Sequence, residues 1–100
     1  MKFITHYAEY DSEENAKLID NISTNEIEGK GTVLQYLKNG SDAGVRCSAV
    51  YDFVERASTG KTIHCYTDGE FEWDDSEIYH FENYNLRLED EFIEKVLRLS

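Results

Sequence analysis

Residues 61–73 read KTIHCYTDGEFEW, and this stretch decides the fold. Two runs rich in aromatic and β-branched residues flank Asp68-Gly69, a dipeptide that in this setting signals a β-hairpin. A type I′ turn needs positive φ at both central positions, and these two residues tolerate it. A two-residue loop at 68–69 sets Thr67 opposite Glu70, Tyr66 opposite Phe71, Cys65 opposite Glu72 and His64 opposite Trp73. One face of the ribbon then carries His64, Tyr66, Phe71 and Trp73 and is the natural core side. The other carries Ile63, Cys65, Thr67, Glu70 and Glu72 and leads into Asp74, Asp75 and Glu77.

Upstream of the ribbon, the apolar period is two from Gly44 through Val54, which predicts a long strand. Ala57-Ser58-Thr59-Gly60 reads as the loop joining it to the hairpin. Three consecutive strands with short links predict an antiparallel meander. Residues 1–10 read as a further strand. Asp11, with Glu14 three residues on, predicts a capped helix over 12–22 that buries Leu18, Ile19 and Ile22. Gly29-Lys30-Gly31 lacks the Gly-Lys-Ser/Thr ending of a phosphate loop and reads as a turn. A compact helix over 32–38 follows, closed by Asn39-Gly40 as a left-handed stop.

Downstream, Asp74 and Glu77 form the ends of a second capping box, opening a helix with Ile78 and Phe81 inward that stops at Asn83-Tyr84-Asn85. A last helix starts near Leu88 with Glu89, Asp90 and Glu91 in its first turn and a stripe of Phe92, Ile93, Val96 and Leu97. The predicted architecture is α+β, an antiparallel β-meander sheet with helices packed on one face, as a single domain over residues 1–100.

The totals bound what such a domain does. Forty per cent apolar residues and thirteen aromatics suit a folded core. A net charge of −11 repels nucleic acid and anionic membrane and attracts basic partners over a Debye length of about 8–10 Å. No apolar run is long enough for a membrane span or a signal peptide, which predicts a cytoplasmic protein. Cys47 and Cys65 stand far apart without CxxC spacing, so they read as buried free thiols rather than zinc ligands.

Catalytic and metal readings find little support. His64 precedes Cys65 directly, so in a strand the two side chains point to opposite faces. His80 reads as a helix-surface residue, and no histidine doublet has metal-ligand spacing. The run Glu70-Phe71-Glu72-Trp73-Asp74-Asp75 lacks the central glycine and terminal glutamate of a calcium loop. No cofactor, metal or catalytic residue is implied. A small hydrolase using Cys47 or an acid pair remains as a contrasting class.

Charge is concentrated. Asp68, Glu70, Glu72, Asp74, Asp75, Glu77, Glu82, Glu89, Asp90, Glu91 and Glu94 make eleven carboxylates over 68–94, against Arg87 as the one Lys or Arg there. Interleaved with Phe71, Trp73, Tyr79 and Tyr84, they read as a surface for a basic protein, since carboxylates pair Arg and Lys while aromatics supply contact area. The candidate contact residues are Asp68, Glu70, Glu72, Asp74, Asp75, Glu77, Tyr79 and Glu82.

VLQYLKNG (33–40), AVYDFV (49–54), YTDGEFEW (66–73) and IYHFENYNLRLEDEF (78–92) together resemble a pattern in small bacterial immunity proteins. These accompany polymorphic toxins, including those of contact-dependent growth inhibition. The likeness spans about two thirds of the chain and rests largely on fold-determining residues. Glu89 stands where that pattern usually has proline, and residues 1–25 match nothing in it. The resemblance implies a non-catalytic inhibitor of one cognate toxin domain, a basic nuclease (RNase or DNase), with no direct contact to nucleic acid or membrane. The alternative is a nucleic-acid-mimicking inhibitor of another DNA- or RNA-binding protein, such as a phage-encoded anti-defence protein. At the hairpin itself, Gly69→Val places a β-branched residue at positive φ. A loss of about 1–3 kcal/mol is expected, read as a lowered Tm in a thermal melt.

Overall fold

The computed structural model describes residues 2–99. The order of elements is β1 (Lys2–Phe3), a 3-10 turn (Leu18–Asn21), α1 (Lys30–Lys38), β2 (Ser41–Asp52), β3 (Ala57–Thr67), β4 (Phe71–Asp74), α2 (Asp75–Tyr84) and α3 (Asp90–Leu99). Four strands form one sheet in the order β1-β4-β3-β2. β2, β3 and β4 are the expected antiparallel meander, and β1 departs from it by pairing parallel to β4. The fold is α+β.

The helices close one core over the sheet. Phe71 and Trp73 of β4, Val33 and Leu37 of α1, Ile78 and Phe81 of α2, and Phe92 and Val96 of α3 bury together with Ile4 and Leu88. Trp73 donates its indole N–H to the Leu37 carbonyl at 2.9 Å, which satisfies the one polar atom of the ring inside that core. A second cluster of Tyr7, Leu18 and Leu86 lies against Tyr10, Ile22, Phe53 and Val54.

The hairpin forms with a shifted turn. Thr67 pairs with Glu72 and Tyr66 with Trp73, and the Asp68 N–H reaches the Phe71 carbonyl, so Gly69 and Glu70 occupy the two-residue loop. Gly69 has φ +96° and Glu70 is not left-handed, the sign pattern of a type II′ rather than a type I′ turn. The cause is the Asp68 side chain. Its Oδ1 accepts from the N–H groups of Glu70 (2.9 Å) and Phe71 (2.7 Å), which holds Asp68 at the strand end as a cap. A shift of this kind leaves the faces unchanged, yet His64 is exposed while Ile63 and Cys65 on the reverse side are buried.

Other expectations are corrected by local chemistry. The loop expected at 57–60 is strand, and the β2–β3 turn is at 53–56. Asp52 fixes it by accepting from the N–H groups of Val54 (2.9 Å) and Glu55 (2.8 Å). The opening strand is only two residues long. The helix expected over 12–22 reduces to one 3-10 turn, because the Glu9 carboxylate takes the Leu18 N–H and the Ala16 carbonyl takes the Ala8 N–H. Asp11 caps no helix; its carboxylate accepts the Glu13 N–H. Asn39 closes α1 at φ −101°, outside the left-handed region. Cys47 is exposed and only Cys65 is buried. By contrast, the Asp74–Glu77 capping box of α2, its stop at Asn85, and the buried Phe92 and Val96 of α3 form as expected, although Leu97 of the same stripe is exposed.

Gly40 is held by packing rather than by its torsion angles. A Cβ there would meet the Trp73 ring at 2.6 Å and the Tyr66 Cβ at 2.9 Å. Gly40→Ala is therefore expected to destabilise by about 1–3 kcal/mol, the range for overfilling a packed site. Chemical denaturation followed by tryptophan fluorescence reads both the loss and the displaced ring.

Candidate binding groove

The first turn of α2 fixes what its outer face presents. With Asp74 accepting the Glu77 N–H at 3.1 Å and Glu77 returning the bond to the Asp74 N–H at 3.2 Å, the helix starts at one defined residue. Asp75, Tyr79 and Glu82 then fall at i, i+4 and i+7, one stripe of the helix surface. That stripe and Ile78 form one wall of a groove of about 480 Å3; Val50 of β2 and Lys61, Thr62 and His64 of β3 form the other.

Each polar residue of the stripe is held by a neighbour. Asp75 accepts the His64 backbone N–H (2.8 Å) and the Tyr66 hydroxyl (2.9 Å), tying the start of α2 to β3. Burial, reinforced by this carboxylate, pushes the Tyr66 hydroxyl up to about 12. Tyr79 donates to Asp52 Oδ2 at 2.6 Å, and Tyr84 donates to the same oxygen at 2.5 Å. Glu82 meets Lys38, at the end of α1, at 3.0 Å.

Asp52 is the node behind this wall, and sequence reading passed over it as an ordinary alternating strand residue. Burial opposes its ionisation, but two tyrosine hydroxyls and two backbone N–H groups outweigh that and hold it at about 2. The available signal was an aspartate ending a β-run with two free N–H groups just beyond it, the makings of an Asx turn.

The structure separates the eight candidate contact residues into three sets. Asp75, Tyr79 and Glu82 line the groove. Asp68, Glu70 and Glu72 lie at the hairpin end, where Lys95 bridges Asp68 (2.8 Å) and Glu70 (2.9 Å) and Lys2 also reaches Glu70. Tyr36 donates to Asp68 at 2.6 Å, and although burial opposes ionisation, Lys95 and these bonds hold its carboxyl well below the usual range. Asp74 and Glu77 are buried, so the expectation of one exposed run over 70–77 is corrected: the capping box turns two of its carboxylates inward.

Glu77 anchors the N-terminal segment. Thr5 donates its hydroxyl to Glu77 Oε2 at 2.5 Å, and both residues line a cavity of about 160 Å3 with His6, Tyr10, Arg46 and Asp74 among its other walls. Burial, with the Asp74 charge added, raises the Glu77 carboxyl to about 8; the Thr5 and Asp74 hydrogen bonds and Arg46 oppose this and lose.

His80 is fully buried, which corrects its reading as a surface residue. Its Nε2 accepts the Phe53 N–H at 3.1 Å, so the proton of the neutral ring sits on Nδ1, 2.8 Å from the Ser76 carbonyl. Tyr10 closes over the ring at 3.1 Å from Nδ1, and burial lowers the imidazole pKa. This histidine is committed to joining α2 to the β2–β3 turn.

Among the described residues, no group of three or more His, Cys, Asp or Glu side chains is placed to hold a metal ion, and no helix is long and apolar enough to cross a membrane. Compared with protein-family models, characterised proteins and solved structures, the chain matches none.

The Glu77 and Asp52 shifts act on stability with opposite sign. Glu77 binds its proton more tightly when folded, so its contribution is complete below its unfolded pKa of 4.5 and is lost as pH rises to about 8. Asp52 contributes above its ordinary 3.8, and that contribution is lost as pH falls through about 2. Between pH 5 and 8 the Glu77 contribution is thus expected to fall with rising pH by roughly a few kcal/mol, at about 1.4 kcal/mol for each unit of displacement, offset in part below pH 6.5 by the buried His80, whose lowered pKa acts in the opposite sense. Glu77→Gln is expected to flatten most of this slope in urea titrations across that window. An unchanged slope would assign it to other groups.

Proposed function

We propose that this protein is a non-catalytic inhibitor of a basic protein, in the manner of the immunity proteins that its sequence resembles, with the nuclease domain of a cognate toxin as its partner. The observation that carries the reading is the groove beside α2, where a half-buried Tyr79 stands between Asp75 and Glu82. An aromatic flanked by carboxylates in a concave surface takes the stem and head of an Arg or Lys side chain. The net charge of −11 adds long-range attraction for a basic domain.

Local neutralisation favours this reading over nucleic-acid mimicry. A mimic presents a row of unpaired anions at phosphate spacing. Here Asp68 and Glu70 meet Lys95, Asp74 meets Arg46, Glu82 meets Lys38, Asp90 meets Arg87 and Glu91 meets Lys2. Such pairs suit a surface that recognises particular side chains by exchanging partners better than one that imitates a uniform backbone.

The decisive measurement pairs the protein with the toxin domain encoded beside it, by titration at low and high salt and by protection of cells expressing that toxin. Tyr79→Ala with Glu82→Lys is expected to weaken binding by roughly 2–4 kcal/mol, the scale of a hot-spot pair. Binding by the parent is expected to weaken with salt. Glu70→Lys, at the hairpin turn outside the groove, is expected to change mainly the association rate. Full protection by the double variant would place the contact elsewhere; failure of the parent to bind would remove the proposal.

A further inference from the structure

In a chain with twenty-one acids and ten bases, a base left without an acid is informative. Lys2, Lys30, Lys38, Arg46, Arg87 and Lys95 each lie within ion-pair distance of a carboxylate. Among the described residues, Lys17, Arg56, Lys61 and Arg98 form no such pair, and of these four only Lys61 lines the groove beside α2.

A break in the ladder puts Lys61 there. Ala49 pairs with Thr62 and Tyr51 with Ser58, so Thr59, Gly60 and Lys61 of β3 stand against Val50 alone. Gly60, in the middle, is left-handed at φ +75°. A bulge of this kind re-aims side chains, and the successive residues Lys61 and Thr62 both line the groove. On the facing wall, Glu82 is met by Lys38 at 3.0 Å, and Asp75 is held by the His64 N–H and the Tyr66 hydroxyl. The groove thus sets anions on α2 against one exposed, unmatched cation on β3.

Net charge alone does not choose a partner, because at −11 the protein attracts every basic surface. Choosing one needs an element that repels the others. We propose that Lys61 is the specificity-determining residue of the groove, pairing an acidic side chain that the partner carries beside the base seated on Tyr79. A basic surface without that acid meets Lys61 as a like charge and is repelled. This inference rests on the groove being the contact surface, as proposed above.

Titration of the toxin domain encoded beside this chain, by calorimetry at low and high salt, tests it. Lys61→Glu takes the net charge from −11 to −13, so attraction by charge alone predicts tighter binding. The affinity is instead expected to fall at least about tenfold, and to stay below the parent's at high salt, where long-range attraction is screened. Lys17→Glu makes the same charge change at an exposed site outside the groove and is expected to bind at least as tightly as the parent. Lys61→Arg, which keeps the charge, is expected to keep the affinity. Poly-L-lysine, a base without acids, is expected to bind Lys61→Glu more tightly than Lys17→Glu. A circular dichroism melt confirms that each variant folds. If the parent binds and Lys61→Glu holds the toxin as tightly as Lys17→Glu, or if poly-L-lysine does not distinguish these two variants, this inference is overturned and the function proposed above stands. A parent that fails to bind removes both.

Discussion

Trp73 is fixed from every side, and the arrangement of the rest follows from its position. Its N–H reaches into α1 at Leu37, its ring lies 5.5 Å from Phe92 of α3 and 6.0 Å from Tyr36, and its edge fills the space that Gly40 leaves bare. Because Trp73 pairs with Tyr66 in the sheet, this one side chain sets the distance of two helices from β3 and β4. One residue later comes Asp74, the N-cap of α2. The strand that seats the core and the residue that launches the groove-bearing helix are therefore neighbours, and a change in one is transmitted to the other through a single peptide unit.

Much of the acidity that dominates the sequence is spent inside the fold. Asp52, Asp68 and Asp74 each accept backbone N–H groups at a turn or helix start, and Asp75 accepts one from β3. Short carboxylates do this well because the side chain reaches N–H groups two or three residues along. A count of carboxylates therefore overstates the anionic surface of such a chain.

The same fact explains what was legible. The capping box of α2 and the Phe92–Val96 stripe of α3 depend on residues three or four apart, and local spacing predicts them. The turn after Thr67 was legible as a turn, but its register depended on whether Asp68 sat in the loop or capped it. Lys95 and Tyr36, distant in sequence, favour the capping position by binding the same carboxylate. The N-terminal segment was least legible. Its Thr5, Tyr7 and Tyr10 bond to Glu77, the Arg87 carbonyl and His80, and no spacing within residues 1–25 announces partners so far along the chain. Of the site, the stripe on α2 could be read; the opposing wall, made by β2 and β3, could not, because the turn that joins those strands lies four residues earlier than expected.

The parallel pairing of β1 with β4 has a consequence for synthesis. The segment at residues 2–5 finds its partners in residues 71–72, in Glu77 and at Glu89, whose N–H bonds the Ile4 carbonyl. At the ribosomal rate of about 5–20 residues per second, it waits several seconds before any of them exists. Loop closure over such a separation also slows folding. The nascent chain thus holds Ile4 and Tyr7 uncovered until residues 71–89 have been made, and the core over them closes only then.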